Sequence, residues 1–294
     1  SRPPGSMSAD ADRSSFRYTK DLVSDRYLKV FNDWVDFKDI NTILDVGSNR
    51  GVFINWVTDN YGIKSITAIE PHPDIVESYA NISDIDLRNC RFEETQLQNE
   101  YYDFAHCIHT LEHAKSAREM LKGVRDSLKI GGIFFLTVPN IIFHNDLIEE
   151  LFIDPHTYHF SYDLLKRFVT SMGFSVEYSG NSTEADIIFL LKKERGSSLN
   201  FTDDAVCNYR NFPHQVDNNI KLYQSSIVDN RNNLKNSIYL LNKASKTKKI
   251  VIWGGGRIFD AMITFGGLNP KDVYMVIDKY LSLYVQEIRG YSLK

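Results

Sequence analysis

The chain has 294 residues, 43% of them hydrophobic, enough for an α/β domain with a buried core and something smaller beside it. A net charge of −4 gives no electrostatic reason to expect nucleic acid or an anionic membrane surface as partner. Cys90, Cys107 and Cys207 form neither a disulfide framework nor a zinc-type CxxC pattern, and free thiols fit a reducing, cytoplasmic compartment. No apolar run reaches the roughly 18 residues of a membrane span.

Residues 1–15, "SRPPGSMSADADRSS", read as an expression scar followed by a polar, disordered tail. Val23, Tyr27, Val30, Phe31 and Trp34 recur at helical spacing and predict an amphipathic helix. "TILDV" at 42–46 is a buried strand, followed by a helix over 51–60 that closes near Gly62. "SITAIE" at 65–70 is a second strand, leading into a helix after Pro71-His72-Pro73. A short strand near 85–90 and a further one, "YYDFAHCIH", come next. A helix over 115–129 carries Ala117, Leu121, Val124 and Leu128 on one face and stops at Gly131-Gly132. "IFFLTV" at 133–138 then ends at Pro139-Asn140. Strands alternating with helices imply a parallel sheet covered on both faces, with ligands held beyond the carboxyl ends of its strands.

Residues 141–160 are loop-like and rich in histidine and aromatic side chains. Ser161 is placed to cap a helix carrying Leu164, Leu165, Phe168, Val169 and Met172, stopped by Gly173. "FSVEYSG" and "ADIIFLLKK" then predict an antiparallel hairpin that closes the sheet and ends the domain near 194.

With these pieces in order, residues 42–194 resemble a class I methyltransferase that uses S-adenosylmethionine. The matching segments are "ILDVGSNRG", "ITAIEPHPD", "YDFAHCIHTLEHAKS", "LKIGGIFFLTVPN" and "HFSYDLLKRFVTSMGFSVEY". The resemblance implies a Rossmann-like α/β domain over 16–194 with S-adenosylmethionine as its cofactor. Gly47, Ser48 and Gly51 would bring backbone close to the amino acid and ribose parts, with Asp45 accepting hydrogen bonds from the loop or its ligand. Glu70, closing the second strand, can accept from both ribose hydroxyls. The same spacing suits the ribose acid of an NAD site, but "GSNRG" lacks the GxGxxG pattern. Where such methyltransferases often carry an acid that reads the adenine, this chain has "NCRFEE", leaving Phe92 as either a cover for the ring or ordinary core.

Methyl transfer to an alcohol needs positioning and a nearby base. His109, Glu112 and His113 lie just past the fourth strand, and His156, Tyr158 and His159 lie in a loop expected over the same edge. In the resemblance the position of His113 faces the methyl group, making it the first choice as base and His159 the second. His109 is a candidate on both the cofactor and the catalytic side, while His156, Tyr158 and Asn140 are candidates for the acceptor. The spacing of these histidines fits no standard zinc pattern, so no metal is expected.

Residues 195–248 read as a linker followed by a long helix with Ile220, Tyr223, Ile227, Leu234, Ile238 and Leu241 on one face. Residues 249–294 form a partial βαβ unit, "KIVIWGGGRIFD" to "DVYMVIDKY", read either as a phosphate or sugar cradle made by Gly254, Gly256 and Asp278 or as a docking platform only. The arrangement resembles the C-terminal part of bacterial sugar C-methyltransferases, whose cysteine-rich zinc module this sequence lacks. It also stops at "IRGYSLK", where that family continues, which suggests one piece of a larger polysaccharide-assembly protein. The expected function is methylation of a small-molecule or glycan acceptor, an O-methylation of a sugar first. A sugar C-methyltransferase, an NAD-dependent sugar-nucleotide oxidoreductase and a non-catalytic assembly module stand as alternatives.

Overall fold

The first apolar stretch forms α1, Asp25–Trp34, which buries Tyr27, Val30 and Phe31. Trp34, expected on that face, is half exposed and only flanks Tyr178, with ring centroids 5.8 Å apart. The computed structural model describes residues 23–63, 65–72, 85–142, 156–196, 212–278, 287–288 and 291–292. The predicted N-terminal tail, the helix after Pro73, most of the loop before His156, much of the linker with Cys207, and the last residues lie outside the described residues.

Further along come β1 (Thr42–Val46), α2 (Val52–Tyr61), β2 (Ser65–Ile69), β3 (Ile85–Arg88) and β4 (Tyr102–Ile108). They are followed by α3 (Ala117–Ser127), β5 (Leu128–Pro139), α4 (Tyr162–Ser171), β6 (Phe174–Ser179) and β7 (Asp186–Lys193). One sheet holds these strands in the order β3-β2-β1-β4-β5-β7-β6. The first five run parallel, and β7 enters between β5 and β6, antiparallel to both. The expected hairpin is present, with its second strand inside. A dinucleotide-binding sheet keeps a parallel strand at that place, so this topology separates the fold from the NAD alternative.

Every residue of β1 is buried, and its alternation feeds both faces of the sheet. Leu44 and Val46 join one core with Leu121 and Val124 of α3 and Leu165 and Val169 of α4. Ile43 joins the other with Phe31 of α1 and Phe53, Ile54 and Val57 of α2. Phe31 anchors that second core through edge contacts to Phe37 and Phe135, with centroids 5.5 and 4.8 Å away. Such ring pairs contribute about 0.5–1.5 kcal/mol each beyond their area burial.

Two boundaries differ from the sequence expectation. Helix α3 ends at Ser127 because Leu128 turns extended, and β5 begins there rather than after the glycines. Gly131 and Gly132 instead serve an irregularity in the pairing, where Tyr102 faces Leu128 and Phe104 already faces Ile133. Gly131 takes φ +79°, which a β-branched strand residue would resist. At α4, Ser161 occupies the cap position but its side chain makes no capping hydrogen bond.

A second unit begins at Ile220. The helix α5, Phe212–Ser245, leads into β8 (Val251–Trp253), α6 (Arg257–Thr264) and β9 (Met275–Ile277), with β8 and β9 parallel. A short antiparallel pair, β10 (Glu287–Ile288) and β11 (Tyr291–Ser292), follows. Ile238, Phe259, Leu268, Val276 and Tyr291 form this unit's own small core. No helix among the described residues is long and apolar enough to cross a membrane.

Candidate active site

Past the carboxyl end of β1 the chain turns sharply, with left-handed backbone at Gly47 (φ +72°), Asn49 (φ +46°) and Gly51 (φ +72°). The amides of Gly47 and Ser48 both donate to the Ile69 carbonyl at the end of β2, at 2.8 and 3.1 Å. This folds the loop back over the neighbouring strand end. Gly47 has a second constraint that spacing alone does not reveal. A Cβ there would stand 2.0 Å from Oγ1 of Thr110, just past β4. The loop and the end of β4 are therefore in direct apposition.

Glu70 is buried at the end of β2 and holds this loop. Its Oε2 accepts from the Asn49 amide at 2.9 Å, and its Oε1 accepts from the His72 amide at 2.9 Å. Each oxygen keeps a lone pair for a ligand hydroxyl. Just past β3, the Asn89 side chain donates to the Glu70 carbonyl at 2.7 Å, fixing the same corner from the other side. Phe92 follows in a short 3-10 turn and is buried against α3. A Cβ added to Gly123 would come within 2.8 Å of its ring, so Phe92 is tightly packed core.

Asp45 does not support the loop. Strand alternation and register set it beside His106 on β4, the residue paired with it across the sheet. Oδ1 of Asp45 meets Nδ1 of His106 at 2.7 Å, both side chains are buried, and the imidazole stacks on Phe53 at 3.9 Å. The Asp45–His106 pair was not foreseen, since it depends on register between strands far apart in sequence.

The end of β4 carries the second half of the site. His109 adopts left-handed backbone at φ +48°, a conformation that costs a non-glycine residue about 1–2 kcal/mol. A 3-10 turn, Leu111–His113, then buries Glu112 to 1% exposure while His113 remains partly exposed. Glu112 Oε1 lies 3.5 Å from Nδ1 of His109 and 3.9 Å from Nε2 of His113. Neither oxygen of Glu112 has a hydrogen-bond partner among the described residues. His109 Nε2 also lies 3.5 Å from Asp186, which pairs in turn with Arg26. Burial pulls the His109 pKa down, but the neighbouring carboxylates of Glu112 and Asp186 outweigh it and raise the net value.

Residues 156–159 reach the same place. The amides of Thr157 and Tyr158 both donate to the Glu112 carbonyl, at 2.8 and 3.1 Å, which pins this segment onto the turn. The His156 ring is consequently 4.8 Å from that of His113 and 6.2 Å from that of His159. Burial, and then the neighbouring charge of His156, lowers the His159 pKa. Tyr158 donates its hydroxyl to the Lys115 carbonyl at 3.2 Å. His109, Glu112, His113, His156 and His159 thus form one rim.

Asn140 does not join it. The residue is fully buried, and its side-chain amide donates to the carbonyls of Ser182 and Glu184 at 2.8 and 2.9 Å. It holds the turn between β6 and β7. A separate cleft of about 470 Å³ opens at the amino ends of β2 and β4, lined by Ser65, Thr67, Asp86, Arg88 and Tyr101. It lies at the wrong end of the strands for this site, and Arg88 there is engaged by Asp86, Thr95 and Gln96.

In the second unit, Asp278 Oδ2 accepts from the Gly255 amide at 2.9 Å, and the Gly254 amide donates to the Ile277 carbonyl at 2.8 Å. This is the hydrogen-bond pattern of the β1 loop on a smaller scale.

Residues 16–179 match a family model described as a methyltransferase domain. Among solved structures, the chain is similar to the plantazolicin methyltransferase BpumL, in complex with monoazolic desmethylPZN analog and SAH. That similarity has a TM-score of 0.51 at 12% identity and covers 64% of this chain and 88% of that one. An S-adenosylmethionine dependent methyltransferase from Mesorhizobium loti is similar at 12% identity and TM-score 0.49, covering 58% of this chain and 99% of that one. A SAM dependent methyltransferase from Archaeoglobus fulgidus shows 18% identity and TM-score 0.49, covering 62% of this chain and 98% of that one. No curated protein sequence matches the chain.

Proposed function

This chain belongs to the methyltransferase domain family, and from that premise we propose that it methylates a hydroxyl of a sugar, using S-adenosylmethionine. The residues present fit the cofactor. The left-handed turn over Gly47–Gly51 offers backbone groups, and the buried Glu70 carboxylate has acceptor capacity left for two hydroxyls. When bound, S-adenosylmethionine supplies an electrophilic methyl group on a sulfonium. The chain's own part is to orient both reactants, exclude water and take one proton.

His113 takes that proton in this reading. Glu112, 3.9 Å from its Nε2, stabilises the imidazolium that results. The observation that supports the proposal is the close approach of Thr110 to Gly47, since Thr110 stands directly between His109 and the turn that carries Glu112 and His113. A sugar acceptor, nucleotide-linked or at a glycan end, is supported by three features. A base cluster suits a neutral hydroxyl; the net charge of −4 disfavours nucleic acid; and the βαβ unit around Asp278 resembles those of sugar methyltransferases. Membership in a larger polysaccharide-assembly protein is part of the same reading.

Calorimetric titration with S-adenosylmethionine, S-adenosylhomocysteine and NADH tests the cofactor, and methyl transfer to a panel of nucleotide sugars and glycans tests the acceptor. Saturable binding of the two sulfur compounds, weakened in Glu70→Ala, is expected. Binding of NADH alone would overturn the reading.

A further inference from the structure

We propose that Glu112, His113 and His156 form a binding site for a divalent first-row transition-metal cation on the rim of the pocket. One ligating atom from each of the three lies within 4.8 Å of the other two. Metal bonds of about 2.0–2.2 Å need ligand atoms roughly 3.3 Å apart, so closing the site takes small rotations of two partly exposed imidazoles. Two imidazoles and one carboxylate suit Zn²⁺, Fe²⁺ or Co²⁺ and leave coordination positions open.

Two independent features favour a cation here. First, Glu112 is 1% exposed, yet both of its oxygens lack a hydrogen-bond partner among the described residues. Burying an ionised carboxylate without compensation costs several kcal/mol, on the order given for incompletely paired buried ions. The 3.5 and 3.9 Å approaches of His109 and His113 are too long to be formed hydrogen bonds. Second, the ligands are placed in advance. The Glu112 carbonyl accepts from Thr157 and Tyr158, so the backbone bonds that bury Glu112 also deliver His156 to it. Sequence spacing could not show this, because the ligands come from two separate segments of the chain.

The inference concerns the same rim as the proposed methyl transfer but does not require it, since cation binding is measured without cofactor. It adds a substrate class to that reading: acceptors whose oxygen atoms can occupy the open positions, such as vicinal diols. His113 would then act as a ligand when the cation is bound.

The full chain, stripped with a chelator, should be titrated with Co²⁺ and followed by visible absorption, alongside calorimetry with Zn²⁺. One-to-one binding with ligand-field bands is expected, weakened at least about tenfold in the double variant His113→Ala, His156→Ala. His156→Ala alone serves if the double variant unfolds, because this partly exposed side chain belongs to no core. Absence of saturable binding, or equal affinity in the variants, would overturn the site. Titrating the same samples with S-adenosylmethionine separates the two readings. Co²⁺ binding without cofactor binding would leave the cation site standing and remove the methyltransferase pocket, and the reverse would remove the cation site alone.

Discussion

The chain builds the same turn twice and surrounds it differently. In the first unit, Gly47 and Ser48 bond back to Ile69, and Glu70 accepts from Asn49. In the second, Gly254 bonds back to Ile277, and Asp278 accepts from Gly255. Yet β1 is a five-residue strand buried throughout, whereas β8 has three residues, with Val251 50% and Trp253 88% exposed. A glycine turn closed by a strand-end acid is therefore a local solution to leaving one strand and entering a helix. What makes the first one a candidate pocket is the end of β4, which brings Thr110 against it and carries the start of the histidine rim.

The comparison can be tested at matched positions. The largest effect is expected in turnover: His113→Ala should lower kcat by about 10²–10⁴, the usual contribution of a general base, with little change in cofactor affinity. Full activity with the true acceptor would remove His113 from its role. Next comes the glycine pair. Gly47→Val should weaken S-adenosylmethionine binding by on the order of 100-fold, about 2.7 kcal/mol, because its Cβ must displace Thr110 and reshape the loop. At Gly254 an added Cβ meets nothing within 4 Å among the described residues, so Gly254→Val is expected to add chiefly backbone strain of about 1–2 kcal/mol, and cofactor affinity should hold. Equal loss of affinity in the two would break the comparison.

The acids come third. Glu70→Ala should weaken the cofactor by about 10–100-fold, the range for losing hydrogen bonds to a charged group, while Asp278→Ala stays within about twofold. Calorimetry on both variants reads the difference directly. The smallest effect concerns pH. His109 has a raised pKa in the folded chain, so its stabilising contribution is complete below the unfolded value, about 6.5, and fades as pH rises through the folded value. His109→Asn keeps a residue that tolerates left-handed backbone and removes the titration. The stability gap between wild type and this variant, roughly 0.5–1 kcal/mol for a partly exposed ion pair, should shrink between pH 6 and pH 9 in urea denaturation. A gap that grows with pH would contradict the pairing with Glu112 and Asp186.

Much of the first unit was legible because each strand announces itself locally. "TILDV" matches β1 residue for residue, and "ADIIFLLKK" and "FSVEYSG" gave both strands of the closing hairpin. Single-residue roles were legible only where they were local too. Gly51 could be assigned to the turn from its neighbours, and in the structure it caps α2 in left-handed backbone. Asp45 could not be placed, because its partner His106 is set by parallel register. Asn140 shared a strand end with the pocket, but the turn it serves lies more than forty residues on, at Ser182 and Glu184. The start of β5 was missed for a different reason. Gly131-Gly132 is a strong breaker signal, and here it relieves a bulge inside a strand instead of ending a helix.

The buried Asp45–His106 pair has a use beyond packing. An imidazole N–H held 2.7 Å from a carboxylate and stacked on Phe53 is shielded from water. Its proton should exchange slowly and resonate far downfield of the amide envelope. Because Asp45 is two residues from Gly47, that single line would sense the loop from beneath. The chain thus carries its own NMR reporter for whatever enters the pocket, without any label placed inside it.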